Sequence, residues 1–144
     1  MDEGRVMGID YGSTRIGLSL SDPLRMIAQP FRTLANTGTF WEQLKAIIQE
    51  QRVHTLVVGM PINLKGHKGK KAEEVAHFVE RLKVETGCDV VVWDERFTST
   101  IAQQTLRDMG TTKRQRRDRG RIDAMAAALI LQSFLDSTRR SLSC

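Results

Sequence analysis

Two short apolar runs, VHTLVVGM at 53–60 and DVVVW at 89–93, flank one amphipathic stretch, and this pairing constrains the fold more than any other feature. Short β-branched runs bounded by turn residues read as buried strands. Between them, residues 71–86 put Val75, Phe78, Val79 and Leu82 on one helical face, and Gly87 follows as a C′ stop. Strand, helix, strand in this order implies a parallel pair joined by a right-handed crossover.

Upstream the punctuation differs. Arg5 to Asp10 reads as a strand that ends at Gly12. Ile16, Leu18 and Leu20 alternate with Gly17, Ser19 and Ser21, the pattern of a half-buried strand. Asp22-Pro23 turns the chain. Ile27 to Leu34 is a third strand, which Pro30 confines to an edge because proline cannot donate to a ladder. Short turns between these strands predict an antiparallel meander. Phe40, Leu44, Ile47 and Ile48 mark a helix over Thr39–Gln51, and further helices are predicted over Thr98–Met109 and Ile122–Leu135. The order βββ-α-β-α-β-α-α predicts an α/β domain with a mixed five-stranded sheet, the meander plus two parallel strands, flanked by helices. A single domain is expected over 1–138, with 139–144 as a mobile tail.

Composition limits the function classes. With 40% apolar and 27% charged residues the chain has the make-up of a globular protein. No apolar stretch approaches the roughly 20 residues of a membrane helix. MDEGRVMGID lacks the apolar segment of a secretory signal. Cys88 and Cys144 have neither metal nor redox spacing and are expected as free thiols in a reducing cytoplasm. The net charge of +5 is unevenly spread: KGHKGKK (65–71) and KRQRRDRGR (113–121) concentrate the basic residues. Such loops suit a polyanion, since phosphates attract Lys and Arg whatever the base sequence. They also fit a plain solvated surface.

Three acids break apolar patterns. Asp10 shares a strand face with Val6 and Gly8, and Glu95 extends the face of Val91 and Trp93. Advancing about 100° per residue, Asp123 falls between Ile130 and Phe134 on the last helix, so its carboxylate is predicted to face the sheet. Each acid has a local explanation: an Asx-turn at Asp10, an ion pair of Glu95 with Arg96 or Arg15, a helix-dipole contact at Asp123. Together they point elsewhere. The C-terminal ends of parallel strands share one sheet edge, where open α/β sheets build their sites. Three converging carboxylates are hard-oxygen ligands for Mg²⁺ or Mn²⁺. Two such ions about 3.5–4 Å apart can clamp a phosphodiester for attack by water. His54, His67 and His77 are scattered and expected at the surface or in packing, which leaves zinc without ligands.

The blocks GIDYGSTRIGLSLSDP, VVGMPINLKG, DERFTST and IDAMAAALILQSFL resemble the four sequence blocks of the YqgF family, over about residues 5 to 136. That resemblance implies a ribonuclease H-like fold and a nuclease, described both as maturing the 5′ end of pre-16S ribosomal RNA and as a Holliday junction resolvase. It maps the family's acidic site onto Asp10, Glu95 and Asp123 as catalytic and metal-binding residues, and it implies 5′-phosphate and 3′-hydroxyl products. The KGHKGKK loop is more basic than the family's pattern.

Nucleic-acid contacts are expected from Arg15, Lys68, Lys70, Arg96, Lys113, Arg114, Arg116 and Arg117. For Arg15 and Arg96 the choice stands between a phosphate fork and an ion pair with a local acid. Gly8 and Gly12 either clear space for metal or phosphate or only shape the strand end. Thr98 is expected to cap the following helix rather than orient Glu95, and Tyr11 to pack in the core rather than stack on a base. The leading function is a metal-dependent endonuclease, acting on a ribosomal RNA precursor first and a DNA four-way junction second, as a monomer or a homodimer. Two other classes compete. Asp10-x-Gly12-x-Thr14 also resembles the phosphate loop of actin-like ATPases and sugar kinases, but those need two lobes. A non-catalytic RNA-binding assembly factor would keep the basic loops and need no metal.

Overall fold

The computed structural model describes residues 4–62, 69–98, 104 and 119–142. Its elements are β1 (Arg5–Asp10), β2 (Arg15–Ser21), β3 (Ala28–Ala35), α1 (Phe40–Glu50), β4 (Val53–Met60), α2 (Lys70–Thr86), β5 (Asp89–Asp94), a 3-10 turn (Glu95–Phe97) and α3 (Arg119–Leu142). The five strands form one sheet in the order β3-β2-β1-β4-β5. The meander pairs are antiparallel, and β1–β4 and β4–β5 are parallel. Proline-bearing β3 is an edge strand, as its sequence predicts.

Two boundaries and the burial of one strand differ from expectation. Ile27 lies outside β3 and is 58% exposed in the turn. The helix predicted over Ile122–Leu135 runs from Arg119 to Leu142, since Ala, Leu and Arg sustain a helix past its apolar stripe. β5 is half-buried instead of buried, because it is the other edge strand, and Val92 is 47% exposed. The helix predicted over Thr98–Met109 falls outside the described residues apart from Thr98 and Gln104. No described helix is long and apolar enough to cross a membrane.

The sheet has two unlike faces. Met7, Ile9, Leu18, Leu56 and Val58 point to one side, where they pack with Phe40, Leu44 and Ile47 of α1 and Val75, Phe78 and Leu82 of α2. Each such side chain stabilises the fold by about 1.5–3 kcal/mol when fully buried. Gly87 ends α2 with φ 68, the left-handed conformation that favours glycine. The other side is lined with small residues, among them Gly8, Gly17, Ser19 and Gly59, and α3 lies against them. Ile130, Leu131 and Leu135 pack there on Val6 and Val57. The Ser19 hydroxyl donates to the Ala127 carbonyl at 2.8 Å, and the Ala28 N–H donates to Gln132 Oε1 at 2.8 Å. These bonds fix α3 along and across the sheet.

Candidate active site

Asp10 is the last residue of β1, and its neighbours on both sides are glycines. Gly17 of β2 pairs with it directly, while Gly59 of β4 follows Val58, the partner of Ile9. Each glycine makes room for the carrier of another acid. A methyl group on Gly17 would be driven into the Asp123 carbonyl, so the first turns of α3 rest on the β2 backbone. A methyl group on Gly59 would lie 2.9 Å from Glu95 Oε1. Glycine inside a strand commonly marks such a close approach. The two gaps bring Glu95 and Asp123 to the edge that carries Asp10.

Glu95 arrives differently from its expected place on a continuing strand. β5 stops at Asp94, whose carboxylate accepts the Arg96 N–H at 2.9 Å and starts the 3-10 turn. Thr98 N–H closes that turn on the Glu95 carbonyl at 3.1 Å. The buried Thr98 hydroxyl has no hydrogen-bond partner among the described residues, and the helix it was expected to cap lies outside them. Asp123 faces the sheet as its helical angle predicts, and its Oδ2 accepts from Arg15 Nε at 2.7 Å.

The acids act on one another. Burial, then the charge of Glu95 and more weakly that of Asp123, push the Asp10 carboxyl up to about 7 against an ordinary 3.8, while Lys71 pulls it down. Burial also raises Glu95, with Lys71 opposing it and Asp94 adding to it. Burial is the larger cause at both groups, so the site disfavours the charged carboxylates chiefly by keeping water from them. Three hard carboxylate oxygens on three elements fit Mg²⁺ or Mn²⁺ in donor chemistry. As placed, no three Asp, Glu, His or Cys among the described residues are grouped closely enough to hold one ion, and the Asp123 carboxylate is turned to Arg15.

An open cleft of about 280 Å³ leads to the site, lined by Asp10, residues 11–14, Arg15, Lys71 and Asp123. Asn36 steadies its floor: its side-chain amide donates to the Gly12 carbonyl and its N–H to the Thr14 carbonyl, each at 2.9 Å. Lys71 is not among the expected site residues: it stands where the basic run 65–71 meets the helix expected over 71–86, and nothing local to it points to the acids. The segment turns helical at Lys70, with Glu73 N–H bonded to the Gly69 carbonyl, and this directs Lys71 to the acids. The signal for the helix start was a glycine followed by a helix-forming, lysine-rich run.

Other expected residues separate by position. Lys70 is exposed at the start of α2, and Arg96 forks onto Asp94 at 2.6 Å, so both arginines weighed between phosphate and ion pair are paired with acids here. Gly8 faces Ala127 and Leu131 of α3, which assigns it to packing and not to metal or phosphate clearance. Gly12 shapes the strand end, where a methyl group would run into the Arg15 carbonyl. Tyr11 packs in the core, its ring centroid 4.5 Å from that of Phe78. His54 and His77 are exposed, while His67 lies outside the described residues. Cys88 is a free thiol that burial pushes up from its ordinary pKa. Lys68, Lys113, Arg114, Arg116 and Arg117 lie outside the described residues.

Comparison with known proteins agrees with this architecture. The model of the family described as "RuvX: Holliday junction resolvase" matches residues 4–137. A protein of Clostridioides difficile (strain 630) named "Putative pre-16S rRNA nuclease" is 40% identical over 94% of this chain and 96% of its own length. One of the same name from Salinibacter ruber is 42% identical over 94% and 95%. Among solved structures, Thermus thermophilus RuvC superposes with a TM-score of 0.56 at 16% identity, covering 94% of this chain and 96% of that one. The fowlpox virus Holliday junction resolvase does so with 0.52 at 11%, covering 92% and 99%. At these identities the likeness is one of fold, the ribonuclease H-like fold that the sequence blocks imply.

Proposed function

Because the chain belongs to the RuvX family, we propose that it is a divalent-metal-dependent endonuclease whose catalytic and metal-binding residues are Asp10, Glu95 and Asp123. The observation that carries this reading is the glycine-flanked placement of Asp10, with Gly17 leaving room for the backbone at Asp123 and Gly59 for the Glu95 side chain. A divalent ion held by these residues would lower the pKa of a water and offer a counter-charge to the leaving oxygen. The chain's own groups do the rest. Lys71, beside Asp10 and Glu95, offsets part of the cost of burying both carboxylates in their ionised form. Arg15 and Arg96 offer guanidinium forks, and Lys70 a charge, to neighbouring phosphates. Lys68, Lys113, Arg114, Arg116 and Arg117 supply sequence-independent attraction to the backbone.

We favour a ribosomal RNA precursor, cut at the 5′ end of pre-16S RNA in the cytoplasm, as substrate. Relatives of that name share about 40% identity over nearly the whole chain. The family's description supports a second reading with the same chemistry, resolution of a DNA four-way junction by a homodimer. The test is to incubate the protein with Mg²⁺ or Mn²⁺ and, in parallel, a precursor RNA and a four-way junction, mapping cut sites and product ends. Cleavage that vanishes in Asp10→Asn supports the assignment. Equal products from wild type and Asp10→Asn on both substrates overturn it and favour a non-catalytic RNA-binding role.

A further inference from the structure

We propose that Arg15 holds the Asp123 carboxylate until a divalent ion takes it over, so that metal entry releases the guanidinium toward the substrate phosphate. This inference rests on the nuclease reading and adds a coupling between metal and substrate within that site. Its ground is the 2.7 Å bond from Arg15 Nε to Asp123 Oδ2, in a cleft that Asp10 and Lys71 also line.

The backbones on either side are fixed and only the side-chain tips need move. Arg15 pairs with Ala35 across the β2–β3 ladder, and the preceding carbonyl, that of Thr14, is bonded to the Asn36 N–H. Asp123 sits on α3 where that helix touches Gly17. The two side chains are 36% and 25% exposed, so their pair is screened by water. An ion pair of that exposure shifts an equilibrium by about fivefold at most, which leaves it exchangeable. A divalent ion held by Asp10, Glu95 and Asp123 would bring twice the charge of the guanidinium and would draw on three carboxylates instead of one. Once displaced, the Arg15 guanidinium stays in the same cleft, where a phosphate bound to the ion would enter.

The experiment is Mn²⁺ titration calorimetry without nucleic acid, on wild type, Arg15→Ala, Asp123→Asn and the double variant, with circular dichroism to verify folding. Arg15→Gln replaces Arg15→Ala if the latter unfolds. Removing the competitor is expected to tighten Mn²⁺ binding by about twofold to fivefold, and this gain is expected to disappear in the Asp123→Asn background. Unchanged or weaker binding by the folded Arg15 variant overturns the exchange, as does an equal gain in the Asp123→Asn background, which would reveal general charge repulsion. A wild-type protein that binds no Mn²⁺ overturns the nuclease reading instead. A second arm measures binding to a fluorescent four-way junction and a single-stranded RNA, with Ca²⁺ or with chelator. The Arg15 variant is expected to lose several-fold affinity only with Ca²⁺; an equal loss in both conditions refutes the release step.

Discussion

Replacing Gly8 by alanine tests whether α3, and Asp123 with it, is seated by the smallness of the sheet surface beneath. Gly8 has no positive φ, so alanine is conformationally allowed there, and on backbone grounds the change should stabilise the strand by about 0.5–1 kcal/mol. Packing reverses the sign. The added methyl would run into the Ser19 hydroxyl of β2, and it would lie 2.6 Å from the Ala127 carbonyl oxygen and 2.8 Å from Leu131 Cβ, both on α3. Ordinary contact begins at about 3.4 Å, so the helix must withdraw by about 0.8 Å along two successive turns. Overpacking of this kind costs about 1–3 kcal/mol, and loss of the Ser19–Ala127 hydrogen bond about 1 kcal/mol more. The net expectation is destabilisation by about 1–3 kcal/mol, a fall of about 3–10 °C in Tm. Asp123 lies one turn before Ala127, so the displacement reaches the site, where a shift near 1 Å can cost about 100-fold in kcat/KM. Thermal melts and cleavage rates on the precursor RNA measure the two effects, with Gly38→Ala, whose methyl would meet nothing within 4 Å, as control. A Gly8→Ala protein that melts at or above the wild-type temperature and cleaves normally would refute the argument.

Gly59→Ala is expected to separate the two effects: its methyl meets the side-chain tips of Ile130 and Glu95, which can yield, so Tm should fall less than in Gly8→Ala while cleavage drops at least about tenfold. In chelator, stability should decline from about pH 4 to pH 7, because the raised Asp10 carboxyl binds a proton that the unfolded chain has already released; urea midpoints across this range should be flatter for Asp10→Asn by on the order of a few kcal/mol, and parallel profiles would contradict the assignment. Lys71→Met removes the cation that lowers Asp10 and Glu95, so the acidic limb of the pH–rate profile should move to higher pH, and an unmoved limb would exclude Lys71 from the site.

Much of this is legible in the chain, and the rest is hidden for physical reasons. β1 and β4 end where the sequence says, at Asp10 and before Pro61, because each apolar run stops at a residue that cannot extend it inward. Helical angle alone gives the direction of Asp123, since α3 is regular there. Glu95 was assigned to a strand because Val91, Trp93 and Glu95 keep the alternation; the competing interaction, Asp94 capping its own turn, is local and stronger. The pairing of Arg15 with Asp123 spans 108 positions, which no local pattern encodes. Gly17 and Gly59 were readable as close approaches, but which helix or acid approaches depends on the assembled sheet.

The uneven division of the core bears on the order in which the protein becomes competent during synthesis. Every residue of the larger apolar cluster lies between Met7 and Leu82, so that cluster can close around the sheet while the later part of the chain is still being made. Asp10 is then in place, but Asp123 arrives only with α3, whose seat on the opposite face combines glycine and serine gaps with Val6 and Val57. If Asp123 serves as proposed, a nascent chain would gain a folded body before its third acid, and its nuclease activity would wait until the chain is nearly whole.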